Sequence, residues 1–338
     1  MGLTDSRAPL LLMVSGGSDS VALLLLTNSL CNNATASDSK GPSSAKNTHP
    51  LHVLHVNHML RGTESDADER FVVELCNSLK VACTVKHADI AAAAANTGEG
   101  IEQTGRRLRY ELAESTLKEF ASALNGKPTD GYILTAHTAD DRAETLLQRL
   151  IVGGGSGSLA SIPKRNGKVV RPVLNCTRQE LRSWLTLQNK NVNGCLWRED
   201  ATNLDTHHSR AFVRHEILPL LTERNPRIVE GLNRTADVLS DESAWMDSLA
   251  SELLPLSAAS FTAPLPLLRR AIYLACNEAI AKIAPEARIT FEHIEQIASS
   301  GGKAGFACQI PGGIEVRVVK GDFQFKKAKP PQHDPRAR

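Results

Sequence analysis

The segment Ser15-Gly16-Gly17-Ser18-Asp19-Ser20 constrains the fold of this chain more than any other feature. It lies between apolar runs at residues 10–14 and 21–26, which predict a buried parallel strand before the segment and a helix after it. Glycine tolerates positive φ and allows backbone N–H groups to approach a ligand, so this turn predicts a cradle for phosphate oxygens. A plain Ser/Gly turn in which Ser18 or Asp19 caps the helix is the alternative interpretation.

The first half of the chain alternates strand and helix patterns, and the second half is mostly helical. Further strands are predicted over 51–56, 81–87 and 131–136, and helices over 64–79, 100–120 and 140–151. This order predicts an α/β fold with a doubly wound, mainly parallel, Rossmann-like sheet. The second half predicts helices over 178–188, 209–221, 226–254, 265–283 and 291–298, then a small β element over 306–325.

Turn signals and composition divide the chain further. The Glu-Arg-Asn-Pro turn at 223–226 predicts a boundary between a catalytic domain, 1–222, and a mostly helical C-terminal domain, 223–325. Residues 31–50 are rich in Ser, Asn, Thr and Lys and predict a mobile insertion, and residues 153–158 predict a flexible stretch. Residues 326–338 predict a disordered tail.

Composition argues against several classes of protein. The net charge of +2 does not by itself indicate a nucleic-acid binder. The seven cysteines contain no Cys-x-x-Cys pattern, which disfavours zinc ribbons and iron–sulfur sites and predicts reduced thiols in a cytoplasmic protein. The first predicted strand begins where a targeting segment would lie, so we predict no signal peptide. The early apolar runs are too short to span a bilayer, so we predict no membrane association.

Polar residues follow three of the predicted strands and should meet at one edge of the sheet. They are the glycine loop, then His58 and Arg61, then His137 with an acidic turn. In that turn Asp141 and Glu144 are three residues apart and share a helix face, where they can hold Mg²⁺ or stabilise a cation. Simple capping of a helix by a solvated acidic turn is the alternative.

Arginines at helical spacing supply the opposite charge. Arg106 and Arg109 can reach the same phosphate or carboxylate, and Arg210 and Arg214 line one face of a later helix. Arg171 ends a basic run, which on its own is typical of a solvated surface. For each of these arginines, a solvated helix face or surface run is the alternative.

Together, these segments resemble the tRNA(Ile)-lysidine synthetases, a family of ATP pyrophosphatases. The resemblance follows the family order over residues 10–222. Its pieces are the glycine loop, His-Val-Asn-His-x-Leu-Arg-Gly at 55–62, Arg-Arg-x-Arg-Tyr at 106–110, Ala-His-x-x-Asp-Asp-x-x-Glu-Thr at 136–145, Arg-Pro-Val-Leu at 171–174, and Glu-Asp…Arg-His-Glu-Ile-Leu-Pro at 199–219. The chain departs from the family at Gly105, where Ala is usual, and at Ala211, where Asn is frequent.

The resemblance implies an ATP-dependent ligase that joins L-lysine to C2 of the wobble cytidine of tRNA(Ile) with a CAU anticodon. The reaction would pass through an adenylated tRNA and release pyrophosphate and AMP. Implied ATP contacts are Ser15, Gly16, Gly17, Ser18, Asp19, Ser20 and His58, with Mg²⁺ at Asp19 and Asp141. Implied catalytic residues are His137, Asp141, Glu144, Arg106 and Arg214. Implied tRNA or substrate contacts are Arg61, Arg109, Arg171, Arg210 and Arg214. The resemblance leaves a homodimer open.

Three other functions compete with this interpretation. A tRNA thiolase with the same fold would need a sulfur carrier, and Cys76 or Cys195 are the candidates. The lack of paired cysteines disfavours it. A synthetase that amidates a small molecule suits the basic helical segments less well. A non-catalytic RNA-binding protein on the same fold would show no ATP-dependent chemistry.

Overall fold

The computed structural model describes residues 8–33, 49–124, 131–188, 191–199 and 209–328. These residues form two compact units, one ending at Asp237 and one beginning at Val238. The dividing point lies inside helix α10 (Ile228–Ser251), later in the chain than the boundary predicted after residue 222. The assignment of catalysis to the first part and tRNA binding to the second stays a prediction.

The first unit is built on a six-stranded sheet with the order β3-β2-β1-β4-β6-β5. Its strands are β1 (Leu10–Met13), β2 (Leu51–Asn57), β3 (Ala82–His87), β4 (Tyr132–Leu134), β5 (Arg165–Asn166) and β6 (Val169–Val170). Each neighbouring pair is parallel except β5 with β6. The predicted mainly parallel, doubly wound sheet is confirmed.

The central strand β1 is the switch point of this sheet. Leu10 pairs with Leu51 of β2 on one side and with Tyr132 of β4 on the other. The chain therefore moves outward through β2 and β3 in one direction and through β4 and β6 in the other. Loops leaving the carboxyl ends of β1 and β4 diverge, and this divergence opens a crevice between them.

Helices cover both faces of the sheet. Helices α1 (Ser18–Asn33), α2 (Thr63–Leu79) and α7 (Arg178–Gln188) pack with Leu10 and Leu12 on one face. Helix α4 (Ile101–Ala123) packs with Leu11 on the other face. Because successive strand residues point to opposite faces, β1 joins both layers of the core. Helix α5 (Ala139–Val152) follows β4 and begins beside the crevice.

Several short elements were not predicted from the sequence. Helix α3 (Ile90–Thr97) precedes α4, and helix α6 (Ser156–Leu159) begins within the glycine-rich stretch 153–158 predicted to be flexible and ends one residue after it. The helix predicted over 209–221 is instead α8 (Ser209–Phe212), a π-helix (Val213–Ile217) and α9 (Leu218–Arg224). The two-residue strands β5 and β6 are too short to give a periodic signal.

The predicted insertion and tail lie mostly outside the described residues. Residues 31–33 of the predicted insertion belong to α1. Lys326 and Lys327, predicted to begin the disordered tail, belong to strand β9 and pair with Glu315 and Ile314. Backbone pairing across this ladder outweighs the polar composition, so the prediction of disorder is wrong for these two lysines.

The second unit joins the last turns of α10, a 3₁₀ helix (Ala258–Thr262) and two further α-helices to a small antiparallel sheet. It contains α11 (Leu265–Ile283), α12 (Phe291–Ser299), and strands β7 (Ala307–Ile310), β8 (Ile314–Val319) and β9 (Asp322–Lys327). Ile272, Cys276, Ile297 and Val316 are buried together in its core. The predicted helical region with a small β element is confirmed. Across the described residues, helices long and apolar enough to span a membrane are absent.

Candidate active site

The glycine loop joins β1 to α1 in a tight turn. Gly16 has a φ of +96°, a conformation that residues with a side chain rarely adopt. The Ser20 hydroxyl donates to the Gly17 carbonyl at 2.9 Å and accepts from the Ser15 N–H at 3.2 Å. The N–H of Arg198 donates to the Gly16 carbonyl at 2.9 Å. The loop is therefore fixed both by α1 and by the segment around Arg198.

This loop forms one wall of a crevice of about 990 Å³ at the carboxyl ends of β1, β2 and β4. The predicted site residues that line it are Ser15, Gly17, Ser18, Asp19, Ser20, His58, Arg106, Arg109, His137, Asp141, Arg210 and Arg214. Within the described residues, Arg178, Arg182 and Arg198 also line it, so seven arginines face three carboxylates, those of Asp19, Asp141 and Glu199. This excess of positive charge suits a polyanionic ligand.

Asp141, at the start of α5, has both carboxylate oxygens occupied. Oδ2 accepts from the Thr138 N–H at 2.8 Å and from the Thr138 hydroxyl at 3.0 Å. Oδ1 accepts from Arg210 at 2.7 Å and from Arg178 at 3.3 Å. Burial favours the neutral acid, but Arg210, the Thr138 N–H and Arg178 outweigh burial and lower the pKa of this carboxyl. Asp141 is therefore a carboxylate that anchors arginines.

Glu144 lies one turn further along α5 and is fully buried. Its Oε1 accepts from Arg214 Nε at 2.7 Å, and its Oε2 accepts from Arg214 Nη2 at 2.9 Å and from Arg210 Nε at 3.1 Å. The Arg214 pair is bidentate, the geometry that holds a guanidinium most firmly. The three-residue spacing brings Asp141 and Glu144 to the same arginine, Arg210.

Arg178 connects the glycine loop to this cluster, and the sequence did not single it out. The Arg178 side chain donates through Nε to Asp19 Oδ2 at 3.1 Å, and the backbone N–H of Arg178 donates to Asp140 Oδ2 at 2.7 Å. Burial raises the pKa of Asp19, although the charge of Arg178 opposes this shift. With its contact to Asp141, Arg178 ties the starts of α1, α5 and α7 together.

Two further arginines of the crevice were also missed. Arg182 follows Arg178 by one turn on α7, and its Nε donates to the Ser18 hydroxyl at 3.2 Å. Arg198 Nε donates to Asp68 Oδ1 at 2.9 Å. The four-residue spacing of Arg178 and Arg182 was an available sequence signal. Arg198 offered none, because its position depends on how the segment before residue 200 folds over the loop.

The turn that carries Arg214 is a π-helix. The N–H of Leu218 bonds to the carbonyl of Val213, five residues earlier. Such wide turns occur frequently at functional sites because they shift side chains relative to a regular helix. Here the π-helix follows directly after α8, which carries Arg210, and both arginines reach Glu144.

Two histidines of the crevice are neutral at physiological pH. Burial lowers the pKa of His137 to about 4, although Asp141 opposes the shift, and His137 Nδ1 lies 2.9 Å from the Thr135 hydroxyl. Burial, with a contribution from Arg109, lowers the pKa of His58 to about 4. The buried Nδ1 of His58 has no hydrogen-bond partner among the described residues. Each ring can therefore donate and accept hydrogen bonds but carries no charge at pH 7.

Among the described residues, four predicted site residues do not line the crevice: Gly16, Arg61, Glu144 and Arg171. Arg61 Nη2 pairs with Asp68 Oδ2 at 2.7 Å. Arg171 is buried, donates Nη1 to the Pro163 carbonyl at 2.8 Å, and lines a second pocket. Among the described residues, neither arginine belongs to the lining of the crevice. Positions 200–203 belong to the segment 199–219 that carries part of the family resemblance, and they lie outside the described residues.

The structure gives a limited fit for a protein-bound metal ion. In the described ranges, no group of three His, Cys, Asp or Glu side chains is arranged to hold one. The Asp141 oxygens accept four bonds from protein groups. The Asp19 oxygens accept two, Oδ1 from the Ser18 hydroxyl at 3.2 Å and Oδ2 from Arg178 Nε at 3.1 Å, so Asp19 keeps more free capacity. A divalent cation would therefore fit here when a polyanionic ligand supplies most of its oxygens and Asp19 supplies one.

Comparison with known families agrees with this geometry. A family model described as the PP-loop domain matches residues 4–221, which include every residue that lines the crevice. This chain belongs to the PP-loop domain family.

Individual relatives extend the match. The tRNA(Ile)-lysidine synthase of Thermus thermophilus is 33% identical over 334 residues, covering 96% of this chain and 58% of that protein. The tRNA(Ile)-lysidine synthase of Rhodopirellula baltica is 35% identical over 251 residues, covering 71% of this chain and 59% of that protein. The chain thus spans somewhat more than half the length of these curated relatives.

A solved structure shares the fold. The U34-tRNA thiolase NcsA from Methanococcus maripaludis, with its 4Fe-4S cluster, superposes with a TM-score of 0.50 at 17% identity. The superposition covers 71% of this chain and 74% of the thiolase chain. At this identity the likeness shows a common architecture.

Proposed function

We propose that this chain forms lysidine, joining L-lysine to C2 of the wobble cytidine of tRNA(Ile) with a CAU anticodon at the expense of ATP. The observation that carries the proposal is the convergence of the glycine loop, His137 and the two arginines bound by Glu144, Arg210 and Arg214, on one crevice. Support comes from the 33% identity to a lysidine synthase over 96% of the chain. Substrates and partners belong to the proposal, because the chain spans 58% of that relative.

The chemistry requires two steps. The C2 carbonyl oxygen of cytidine is a poor leaving group, so it first attacks the α-phosphorus of ATP and displaces pyrophosphate. The lysine ε-amine then attacks C2 of the adenylated base, a proton is lost, and AMP leaves with the former carbonyl oxygen. Both steps move negative charge onto phosphate groups, which preorganised donors and cations stabilise.

The glycine loop is the proposed phosphate cradle. The open turn at Gly16 and the start of α1 direct N–H groups toward an anion. Arg178 and Arg182, on the neighbouring helix, add positive charge beside the loop. Mg²⁺ bound with ATP would neutralise phosphate oxygens, and Asp19 is the residue we propose to hold it; Asp141 would join only by releasing an arginine.

The buried carboxylates hold the arginines in place. Glu144 fixes Arg214 and Arg210, and Asp141 fixes Arg210 and Arg178. We propose that these guanidinium groups contact the phosphates and the base, and that Arg106 and Arg109 complete the wall. An arginine held by a bidentate pair loses little further entropy when it binds substrate.

His137 is proposed to orient the reactants. A pKa of about 4 makes it too weak a base to deprotonate an ammonium group at neutral pH. Because its Nδ1 is engaged with Thr135, Nε2 is the nitrogen that can meet a phosphate or the cytosine ring. His58 would contribute a similar neutral ring beside the nucleotide.

The tRNA contributes an unstacked base and a larger contact surface. A wobble base in a single-stranded loop can leave its stack to enter the crevice. Residues 223–325 are proposed to bind the tRNA away from the anticodon, and Arg61 is a proposed contact near the crevice. A homodimer stays a prediction.

The shared fold with a thiolase favours sulfur transfer as a second candidate. A thiolase needs a sulfur carrier at the reacting base, and no cysteine lines the crevice in the described part of the chain. Cys76 is buried in the core, and Cys195 donates its Sγ–H to the Trp197 carbonyl at 2.8 Å. These positions disfavour the thiolase interpretation.

Adenylation without lysine separates the candidates. The full chain, tRNA(Ile) with a CAU anticodon and ATP labelled at the α-phosphorus should give labelled tRNA, and added lysine should release the label as AMP. Glu119→Gln, at an exposed position on α4 away from the crevice lining, serves as a control and should match the wild type. Label that lysine does not release contradicts lysidine formation, and absence of label with a folded chain supports the non-catalytic RNA-binding alternative.

A further inference from the structure

Two cysteines that the proposed reaction does not use lie side by side in the first unit. Cys76 belongs to the last turn of α2, is fully buried, and accepts the Val81 N–H at its carbonyl at 3.0 Å. Cys83 belongs to β3 and pairs with Val53 of β2, which packs in the same core as α2. Cys83 therefore faces α2 from the sheet, and a hydrogen bond joins the two thiols.

The two thiols differ in their access to solvent. Cys83 is half-buried on β3, the outer strand of the sheet, whereas Cys76 has no exposed surface. Cys276 and Cys308 of the second unit offer a contrast, because both are buried in its core. The pair formed by Cys76 and Cys83 therefore combines a neighbouring thiol with a route by which a reagent can arrive.

The hydrogen bond gives the two thiols different reactivity. The Cys76 thiol donates to the Cys83 sulfur, which lowers the pKa of Cys83 although burial opposes the shift. The same bond and burial both raise the pKa of Cys76. Because a thiolate is the nucleophile in thiol–disulfide exchange, Cys83 is the thiol that reacts first with an outside reagent, and Cys76 is the one that resolves the product.

We infer that Cys76 and Cys83 form a redox modification site, which a low-molecular-weight disulfide oxidises to an intramolecular disulfide that loosens the glycine loop. The Cys83 thiolate attacks the reagent, forms a mixed disulfide and expels one thiolate. The Cys76 thiol then loses its proton and attacks the Cys83 sulfur, and a second thiolate leaves. One protein disulfide replaces one reagent disulfide, and the two cysteine protons end on the two released thiols.

Helix α2 connects this site to the glycine loop. A Cβ at Gly16 would lie 3.5 Å from Val72 Cγ2, and Val72 precedes Cys76 by one turn. One turn earlier, Asp68 accepts from Arg198 Nε at 2.9 Å, and the Arg198 N–H donates to the Gly16 carbonyl at 2.9 Å. A disulfide sets its sulfur atoms about 2 Å apart, closer than hydrogen-bonded thiols. Oxidation therefore draws the end of α2 toward β3 and displaces both supports of the loop.

Peptide mapping of the full chain after treatment with glutathione disulfide tests the modification site. Mass spectrometry of the wild type should find a link between Cys76 and Cys83 that dithiothreitol reverses. Cys76→Ala should retain glutathione on Cys83, because the resolving thiol is gone, whereas Cys83→Ser should leave Cys76 unreacted. Cys31→Ser, which removes another half-buried thiol, is the matched control and should form the link like the wild type.

Hydrogen exchange at residues 15–20 tests the coupling to the glycine loop without ATP or turnover. Oxidation should speed exchange of these amides by about fivefold or more in the wild type and leave Cys83→Ser unchanged. The affinity for a non-hydrolysable ATP analogue should fall by a similar factor. This last expectation rests on the proposed function, in which the loop is the ATP site.

Each outcome decides one part of the inference. A link to another cysteine or to a second chain, or no link at all, overturns the modification site. A link between Cys76 and Cys83 with unchanged exchange at residues 15–20 overturns the coupling. A reduced chain that does not bind the ATP analogue contradicts the proposed function, and hydrogen exchange still decides the inference. If Cys76→Ala does not fold, the comparison of the wild type with Cys83→Ser decides.

Discussion

At the residue scale, charge pairing determines how the crevice is organised. Glu144 is fully buried yet accepts three hydrogen bonds from Arg210 and Arg214. Replacing one partner of such a pair leaves a buried charge uncompensated, whereas exposed pairs contribute little. We therefore propose that Glu144 acts by positioning arginines, a role that differs from binding a metal or the lysine ammonium.

Glu144→Gln tests this positioning role. The amide cannot neutralise Arg210 and Arg214, so we expect the first unit to lose about 3 kcal/mol of unfolding free energy. We expect turnover to fall by about 100-fold or more, because the arginines lose their fixed geometry. Urea titration followed by the fluorescence of Trp184 and Trp197 measures stability, and lysidine formation measures turnover. Turnover within about twofold of wild type would contradict the role.

His137 gives a pH-dependent prediction. Its pKa of about 4 lies below the ordinary value of 6.5, so protonation favours the unfolded chain. The stability from keeping the ring neutral is complete above about pH 6.5 and is lost as the pH falls toward 4. Between pH 7 and pH 5 the wild type should lose about 1–2 kcal/mol more than His137→Gln.

The same urea titrations at the two pH values provide the check. His58 has a similarly lowered pKa but is present in both proteins, so its contribution cancels. Equal losses in the wild type and in His137→Gln would show that His137 is not held neutral by the fold.

Sequence reasoning predicted part of the site at this scale. The rule that ligands bind at the carboxyl ends of strands correctly brought the glycine loop, His137 and Asp141 to one crevice. It did not find Arg178, because its bond to Asp19 depends on how α7 packs beside α1. It also could not show that Asp141 is occupied by guanidinium groups, since side-chain pairing follows from packing.

At the scale of elements, the strand, loop and helix around Gly16 matched expectation because each local signal agreed with the fold. Buried apolar runs, glycine punctuation and helical periodicity all indicated the same structure. Helix α3 and the β5–β6 hairpin were missed because they are short. The helix predicted over 209–221 contains a π-helix that the sequence did not indicate. A one-residue widening of a helix leaves almost no trace in sequence periodicity.

The contact between α3 and α4 offers a test at this scale. A Cβ at Gly105 would lie 2.9 Å from Ile90 Cδ1. Alanine favours the helix by up to about 1 kcal/mol, but this crowding offsets the gain. Ile90→Val removes the Cδ1 atom, so Gly105→Ala should be more favourable by about 0.5–1 kcal/mol in the Ile90→Val background than in the wild type.

A double-mutant cycle of unfolding free energies measures this coupling. Additive effects of the two substitutions would mean that Gly105 is not confined by Ile90. Coupling would also explain how relatives can carry Ala at the position of Gly105. They would need only a small shift of α3, with no change in the crevice.

At the scale of the whole molecule, two compact units divide the described residues. The PP-loop match and the crevice fall in the first unit, and the second unit has its own helical and antiparallel core. The sequence predicted both architectures, but it placed the boundary before α10, where a Pro-containing turn gives a strong signal. The compact units divide within α10 instead, and a continuous helix shows no break in periodicity that would mark such a division in the sequence.

Incorporation of labelled lysine into unmodified tRNA(Ile) with a CAU anticodon tests the central claim most directly. The assay uses the full chain with and without ATP, and tRNA(Met), which has the same anticodon, is the control. The account predicts ATP-dependent labelling of tRNA(Ile) alone, with one AMP and one pyrophosphate released for each lysine joined. A folded chain that adenylates tRNA(Ile) yet never incorporates lysine, or that labels both tRNAs equally, would contradict it.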